Sequence, residues 1–253
     1  MKPKILVVED RSENLAVARE HYSQKEEKYI FDYAIDYDEA MRKFRQGSYN
    51  GVVTDCFMPK DTGSGDINLG LTLVNRLVPL TPEIEERRAT FEKRLKSYTY
   101  LDVDNPEVQR TLYIWDGLPP LMEWVYKKAD RNREDNTREY LKTFGYGSYS
   151  GENDEWGAAR NDPNWILRQM IQQTEAAQPL GILIAEHAME QEVPCCMLTA
   201  RHDEIGEGVI KHWCKENSVS CLTPRESEKS DPGLASEYWG GALKSVTEQM
   251  DKV

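Results

Sequence analysis

The sequence predicts an α/β fold: a doubly wound, five-stranded parallel sheet that carries a mostly α-helical insertion. Three observations lead there. Short unbroken apolar runs, KILVV at 4–8 and CCMLTA at 195–200, have the length and composition of strands buried on both faces. Segments with apolar residues at helical spacing alternate with such runs near both ends of the chain. Between the two ends, residues 60–178 lose the alternation and far exceed any ordinary loop.

Taken in order, Lys4–Val8 is the first strand. Ser12 is placed to cap a helix running to about Tyr22, with Leu15, Ala18, Arg19 and Tyr22 on one side. Tyr29–Ala34, rich in aromatic and β-branched residues, reads as the second strand. A helix over Asp38–Gln46 carries Ala40, Met41 and Phe44 and stops at Gly47. Gly51–Thr54 is the third strand and delivers Asp55 at its carboxyl end. The alternation resumes with a helix over Gly181–Glu190, a break at Val193-Pro194, and a buried strand at Cys195–Ala200. A helix from Glu204 to about Asn217 presents Ile205, Val209 and Trp213, and Val219–Leu222 makes the fifth strand. The last helix opens at Asp231-Pro232 and presents Trp239, Leu243, Val246 and Met250.

The intervening segment has its own helix starts, each a polar cap followed by proline: Thr81-Pro82, Asn105-Pro106 and Asp162-Pro163. Apolar residues three, four or seven apart follow them, and its tryptophans recur at helical spacing, which assigns them to a core. Gly145–Gly157 is polar and glycine-rich and reads as a loop. The domain organisation expected is therefore 1–59 with 179–253 as one α/β unit, and 60–178 as a mostly helical insertion.

Composition narrows the function classes. The chain has 253 residues, 30% charged and 39% hydrophobic, with a net charge of −12. Such an acidic chain offers no basic stripe to replace counterions along a phosphate backbone, which argues against DNA as a partner. It contains no run of about 18 apolar residues that would span a membrane. Its start, MKPKILVVED, lacks the pattern of a secretory leader. The five cysteines form no C-x-x-C pair, and a reducing, cytoplasmic setting is expected.

In a doubly wound sheet, ligands bind outside the carboxyl ends of the strands. Glu9 and Asp10 follow the first strand and Asp55 ends the third, so three acids converge on that edge. Clustered carboxylates repel one another, and an all-oxygen set suits Mg2+. With the cation bound, one carboxylate could act as a nucleophile toward phosphorus. The plainer reading is that these are loop acids at strand ends. His187 and His202 belong to no spaced set and read as surface histidines. The stretch DTGSGD at 61–66 lacks the lysine of a phosphate loop and reads as a flexible exit from Pro59.

KILVVED at 4–10, TDCFMP at 54–59 and VPCCMLTA at 193–200 resemble, in order and local chemistry, the bacterial response-regulator receiver family. The resemblance covers the two terminal stretches and implies a receiver/flavodoxin-like sheet. It implies a phosphoryl group accepted on Asp55 from a histidine kinase or other phosphodonor protein. Mg2+ would be held by Asp10 and Asp55, by the Phe57 backbone carbonyl and by Glu9 as supporting acid. Thr199 matches the switch hydroxyl, with Ala200 as the small residue beside it.

Two departures stand out. The family carries a lysine just before a proline at the end of its fifth strand; here Thr223 precedes Pro224, with Arg225 beyond it and Lys229 set aside as too distant. The aromatic switch residue is also missing, since the region reads Ser220-Cys221. Three readings follow. The first is a non-enzymatic signalling receiver phosphorylated at Asp55, with output by protein–protein contact through the insertion. The second is a pseudo-receiver that binds a partner and is never phosphorylated. The third is a Mg2+-dependent phosphohydrolase, which lacks a general acid two residues after Asp55 because position 57 is Phe.

Overall fold

The computed structural model describes residues 2–79, 82, 86, 163–199, 204–223 and 226–251. The chain divides into two compact units, Met1–Val78 with Met170–Val253, and Pro79–Gln169. The first unit holds all five described strands: β1 (Lys4–Val8), β2 (Ile30–Ala34), β3 (Gly51–Asp55), β4 (Cys195–Leu198) and β5 (Ser220–Leu222). They form a single sheet in the order β2-β1-β3-β4-β5, and every neighbouring pair is parallel. An α/β fold with a five-stranded, all-parallel sheet is what the alternation of runs predicts.

Burial explains why the strands read as unbroken apolar runs. In β1, Ile5 and Val7 join a core with Val53, Cys196 and Leu198, while the alternate residues Leu6 and Val8 are equally buried. A period-2 strand can hide both sets only if both faces are covered. Helices α1 (Ser12–Ser23) and α2 (Tyr37–Gln46) follow β1 and β2. Downstream lie α3 (Asn68–Leu77), α4 (Pro163–Gln173), α5 (Gly181–Glu190), α6 (Glu204–Glu216), the short α7 (Glu226–Lys229) and α8 (Ala235–Met250). Helices α1 and α8 pack together, with Tyr22, Trp239, Leu243 and Val246 in the core that contains Ile5 and Val53. Helix α2 packs on β1 and β2 and α5 on β3 and β4, and these two helices touch each other.

Most elements fall within a residue or two of their predicted bounds, and the differences have physical reasons. Helix α1 is entered from Arg11, with Ser12 as its first helical residue and its hydroxyl on Glu13. Arg19 is exposed, and its guanidinium lies 4.9 Å from the Tyr33 ring centroid; Asn14 and Val17 are buried instead. Helix α2 begins earlier than expected because Asp36 caps it, accepting from Glu39 N at 2.8 Å. The compact unit also extends past Pro59 to include α3, so the second unit leaves after Val78 and returns at Met170. The predicted helix start at Asp162-Pro163 matches α4, which begins at Pro163. Pro82 of the predicted start at 81–82 is helical, whereas Thr81, the start at 105–106, the loop at 145–157, Ala200 and His202 lie outside the described residues.

The stretch 61–66, expected to be a flexible exit, is tied down. Gly63 and Gly65 adopt φ of 83° and 69°, which glycine takes without strain. Both backbone N–H groups donate to the Glu175 carboxylate, the former at 2.8 Å. The Thr62 N–H and hydroxyl both donate to Asp36. None of the described helices is long and apolar enough to cross a membrane.

Candidate metal and phosphoryl site

β1 and β3 are neighbours in register, with Val8 opposite Thr54. The residues that follow, Glu9-Asp10 and Asp55, therefore emerge side by side at the same edge. The structure brings the three together: a carboxylate oxygen from each lies within 4.8 Å of the others. Glu9 is fully buried, Asp55 is 5% exposed and Asp10 is half-buried. Glu9 Oε1 accepts from the Asn14 side chain at 3.0 Å and from Arg11 N at 3.2 Å, so the first turn of α1 holds it. Asp55 Oδ1 accepts from Cys56 N at 2.7 Å.

The other Asp55 oxygen carries the main correction to the sequence reading. Lys229, set aside as too far from the fifth strand, is fully buried, and its Nζ lies 2.8 Å from Asp55 Oδ2 and 3.5 Å from Glu9 Oε2. The expectation that no ammonium would reach this wall is overturned. The cause is α7, one helical turn that follows β5 and carries Lys229 back over the strand ends. A helix advances only about 1.5 Å per residue, less than half the step of an extended chain. Pro224 and Arg225 lie outside the described residues.

Carboxylates grouped this closely repel one another. Burial first, and then the Asp55 charge, push the Glu9 carboxyl up to about 8, while Lys229 pulls the other way. The crowding of acids is therefore felt at Glu9. Hard oxygen ligands grouped this closely could hold a divalent cation such as Mg2+.

Backbone packing holds the site from below. Helix α5 starts against the end of β3: Gly181 N donates to Cys56 O at 2.9 Å, and Met58 N donates to Gln178 O at 3.0 Å. A Cβ at position 181 would sit 2.1 Å from the Asp55 carbonyl oxygen and 2.8 Å from Cys56 Cα. Only glycine permits this approach.

Thr199 lies one residue beyond β4 and is fully buried. Its N–H donates to Leu222 O at 2.9 Å, and its hydroxyl lies beside the Cys56 thiol, with no nitrogen or oxygen partner among the described residues. Phe57 is buried on the loop leaving β3. His187 stays apart from the site: it packs edge-on against Phe44 with centroids 4.9 Å apart and pairs with Gln191 and Glu190 along α5. Two contributors escaped the sequence reading. Asn14 follows no motif, although its place one turn into α1 marks it as able to reach the strand end. Lys229 is the only lysine between β5 and α8, which was the available signal.

Comparison of the chain with family models, with curated proteins and with solved structures found no match.

Proposed function

We propose that the sheet-containing unit is a receiver-type signalling domain, with a doubly wound, flavodoxin-like topology, that accepts a phosphoryl group on Asp55 in the presence of Mg2+. The observation that carries the reading is the Lys229 ammonium at 2.8 Å from Asp55, beside Glu9 and Asp10 at the ends of adjacent parallel strands. Mg2+ held by Glu9, Asp10, Asp55 and the Phe57 carbonyl would offset the charge of an incoming phosphoryl group. An Asp55 oxygen forms the new P–O bond as the P–N bond of a donor phosphohistidine breaks. Lys229, released from Asp55 Oδ2, pairs with the transferred oxygens, and the Thr199 hydroxyl is the switch group that turns from Cys56 toward them. The donor is a histidine kinase or other phosphodonor protein. The output is a protein contact, which we place on the unit Pro79–Gln169. The domain acts as a cytoplasmic relay, not as an enzyme on a free substrate.

A second reading has its own observation. Both Asp55 oxygens are already engaged, Oδ1 by Cys56 N and Oδ2 by Lys229, and the carboxylate is nearly buried. A pseudo-receiver, closed by its own cation and used as a binding module, would look the same at rest. Intact-mass measurement after exposure to acetyl phosphate with Mg2+ separates the two. The receiver gains one phosphoryl group, and the gain disappears in Asp55→Asn. An unmodified wild-type chain sinks the receiver reading and leaves the pseudo-receiver.

A further inference from the structure

Lys229 reaches the site from a helix of four residues, too short to hold its own conformation. Something else must fix its backbone, or the long, flexible side chain would not keep its ammonium at one place. The structure supplies two contacts from α8. The Trp239 indole N–H donates to the Lys229 carbonyl at 3.1 Å, and the Tyr238 hydroxyl donates to the Glu228 carboxylate at 2.8 Å. Consecutive aromatics of one helix thus grip consecutive residues of the other.

Trp239 is itself held on every side. It is fully buried in the core of the sheet unit, edge-on to Tyr22 with centroids 6.2 Å apart. Its own carbonyl accepts from the Tyr22 hydroxyl at 2.9 Å, and Tyr22 stacks on Phe31 at 4.7 Å. The indole is a donor only, and a buried one needs an acceptor. Here that acceptor is the backbone of the residue whose ammonium meets Asp55 and Glu9.

We infer that Trp239 is a positioning residue for Lys229, and that α8, through Trp239 and Tyr238, sets where the ammonium stands over Asp55. The inference deepens the reading of Asp55 as the reactive carboxylate, but its test is made on the resting, metal-free chain. A failure of phosphoryl uptake is therefore distinguishable from a failure of the positioning role.

The test follows the Lys229 ammonium signal by NMR in the full chain labelled with 15N-lysine, assigned by its loss in Lys229→Met. The readout is the ratio of ammonium proton exchange to amide exchange at Leu6 in the buried first strand. Trp239→Phe keeps an aromatic six-membered ring while removing the N–H donor and the rest of the indole, and it is expected to raise that ratio about tenfold. A merely structural loss would speed both exchanges together and leave the ratio unchanged. Leu243→Ala, which thins the same face of α8 one turn beyond Trp239, is expected to move the ratio less than about twofold. Tyr238→Phe loses only a hydroxyl and serves if Trp239→Phe does not fold; its expected rise is about threefold. A ratio unmoved by the aromatic variants overturns the inference, as does an equal rise in Leu243→Ala. So does a wild-type ammonium that exchanges too fast to observe.

Discussion

Replacing Glu9 with Gln tests the electrostatics of the site through the pH dependence of stability. Glu9 is fully buried, and burial with the nearby Asp55 charge holds its carboxyl up at about 8. In the unfolded chain the same group titrates in the ordinary range near about 4.3. Between those values the folded chain keeps a proton that the unfolded chain has released. More protons are then bound folded than unfolded, so stability falls as pH rises through the window. The slope approaches about 1.4 kcal/mol per pH unit where the two states differ by a whole proton. Glu9→Gln removes this contribution and flattens the slope. Absolute stability is a poor readout, because the new amide would set its own N–H2 against Lys229 or give up the bond from Asn14. His21, held below its ordinary value by burial and by Lys25, contributes with the opposite sign, but it is present in both proteins and cancels in the difference. The assay is urea unfolding across the window without divalent cation. For a urea dependence of about 2 kcal/mol per molar, the wild-type midpoint should drop by about 0.7 M per pH unit relative to the variant. Saturating Mg2+ should flatten the wild-type profile as well, since a cation bound to the ionised carboxylate displaces the proton. Equal slopes for wild type and Glu9→Gln in the absence of metal would refute the argument.

Two further outcomes are expected. Gly181→Ala places a methyl 2.1 Å from the Asp55 carbonyl oxygen; the displaced backbone should cost about 2–3 kcal/mol and weaken Mg2+ binding. Gly208→Ala, exposed in α6 with nothing within 4 Å, should instead stabilise by about 0.5–1 kcal/mol, and urea midpoints that move together would contradict the contrast. Asp36→Ala removes the cap of α2 and both bonds from Thr62, and should cost about 1–2 kcal/mol. The variant should also speed proteolysis within 61–66; an unchanged cleavage rate would separate the loop from its anchor.

The sheet was legible because its strands carry a strong local signal. A run such as Ile5–Val8, buried on both faces, leaves no polar residue to confuse the period, and the acids that follow stand out against it. Glu9, Asp10 and Asp55 could therefore be placed by counting from strand ends. Lys229 could not. Its segment, Arg225–Asp231, is polar and carries no hydrophobic period, and α7 is shorter than any window in which a period can be read. It is bonded from outside by Tyr238 and Trp239, of which the sequence analysis named only Trp239, and only for the packing of the last helix. The boundary of the second unit was misplaced for a similar reason. Helix α3 joins the sheet unit through Gln178, which donates to Asp66 O and accepts from Gly70 N, a contact across more than a hundred residues that no local pattern announces.

The balance of charge bears on which of the two functional readings the site favours. A module that never met a cation would be best served by a neutral cluster: one carboxylate paired with Lys229 and apolar or amide groups in the remaining places, since unpaired buried charge is costly. This site buries Glu9 and holds its carboxyl raised, with Asp55 and Asp10 beside it and the Lys229 ammonium among them. Near neutral pH Glu9 relieves the repulsion by keeping its proton, a relief that a divalent cation would supply in its place. The cation would also free Lys229 to leave Asp55 Oδ2, which it must do before that oxygen can meet phosphorus. In the receiver reading, metal binding would then be coupled to release of the acceptor, with an Asp55 held by Lys229 at rest as the starting state.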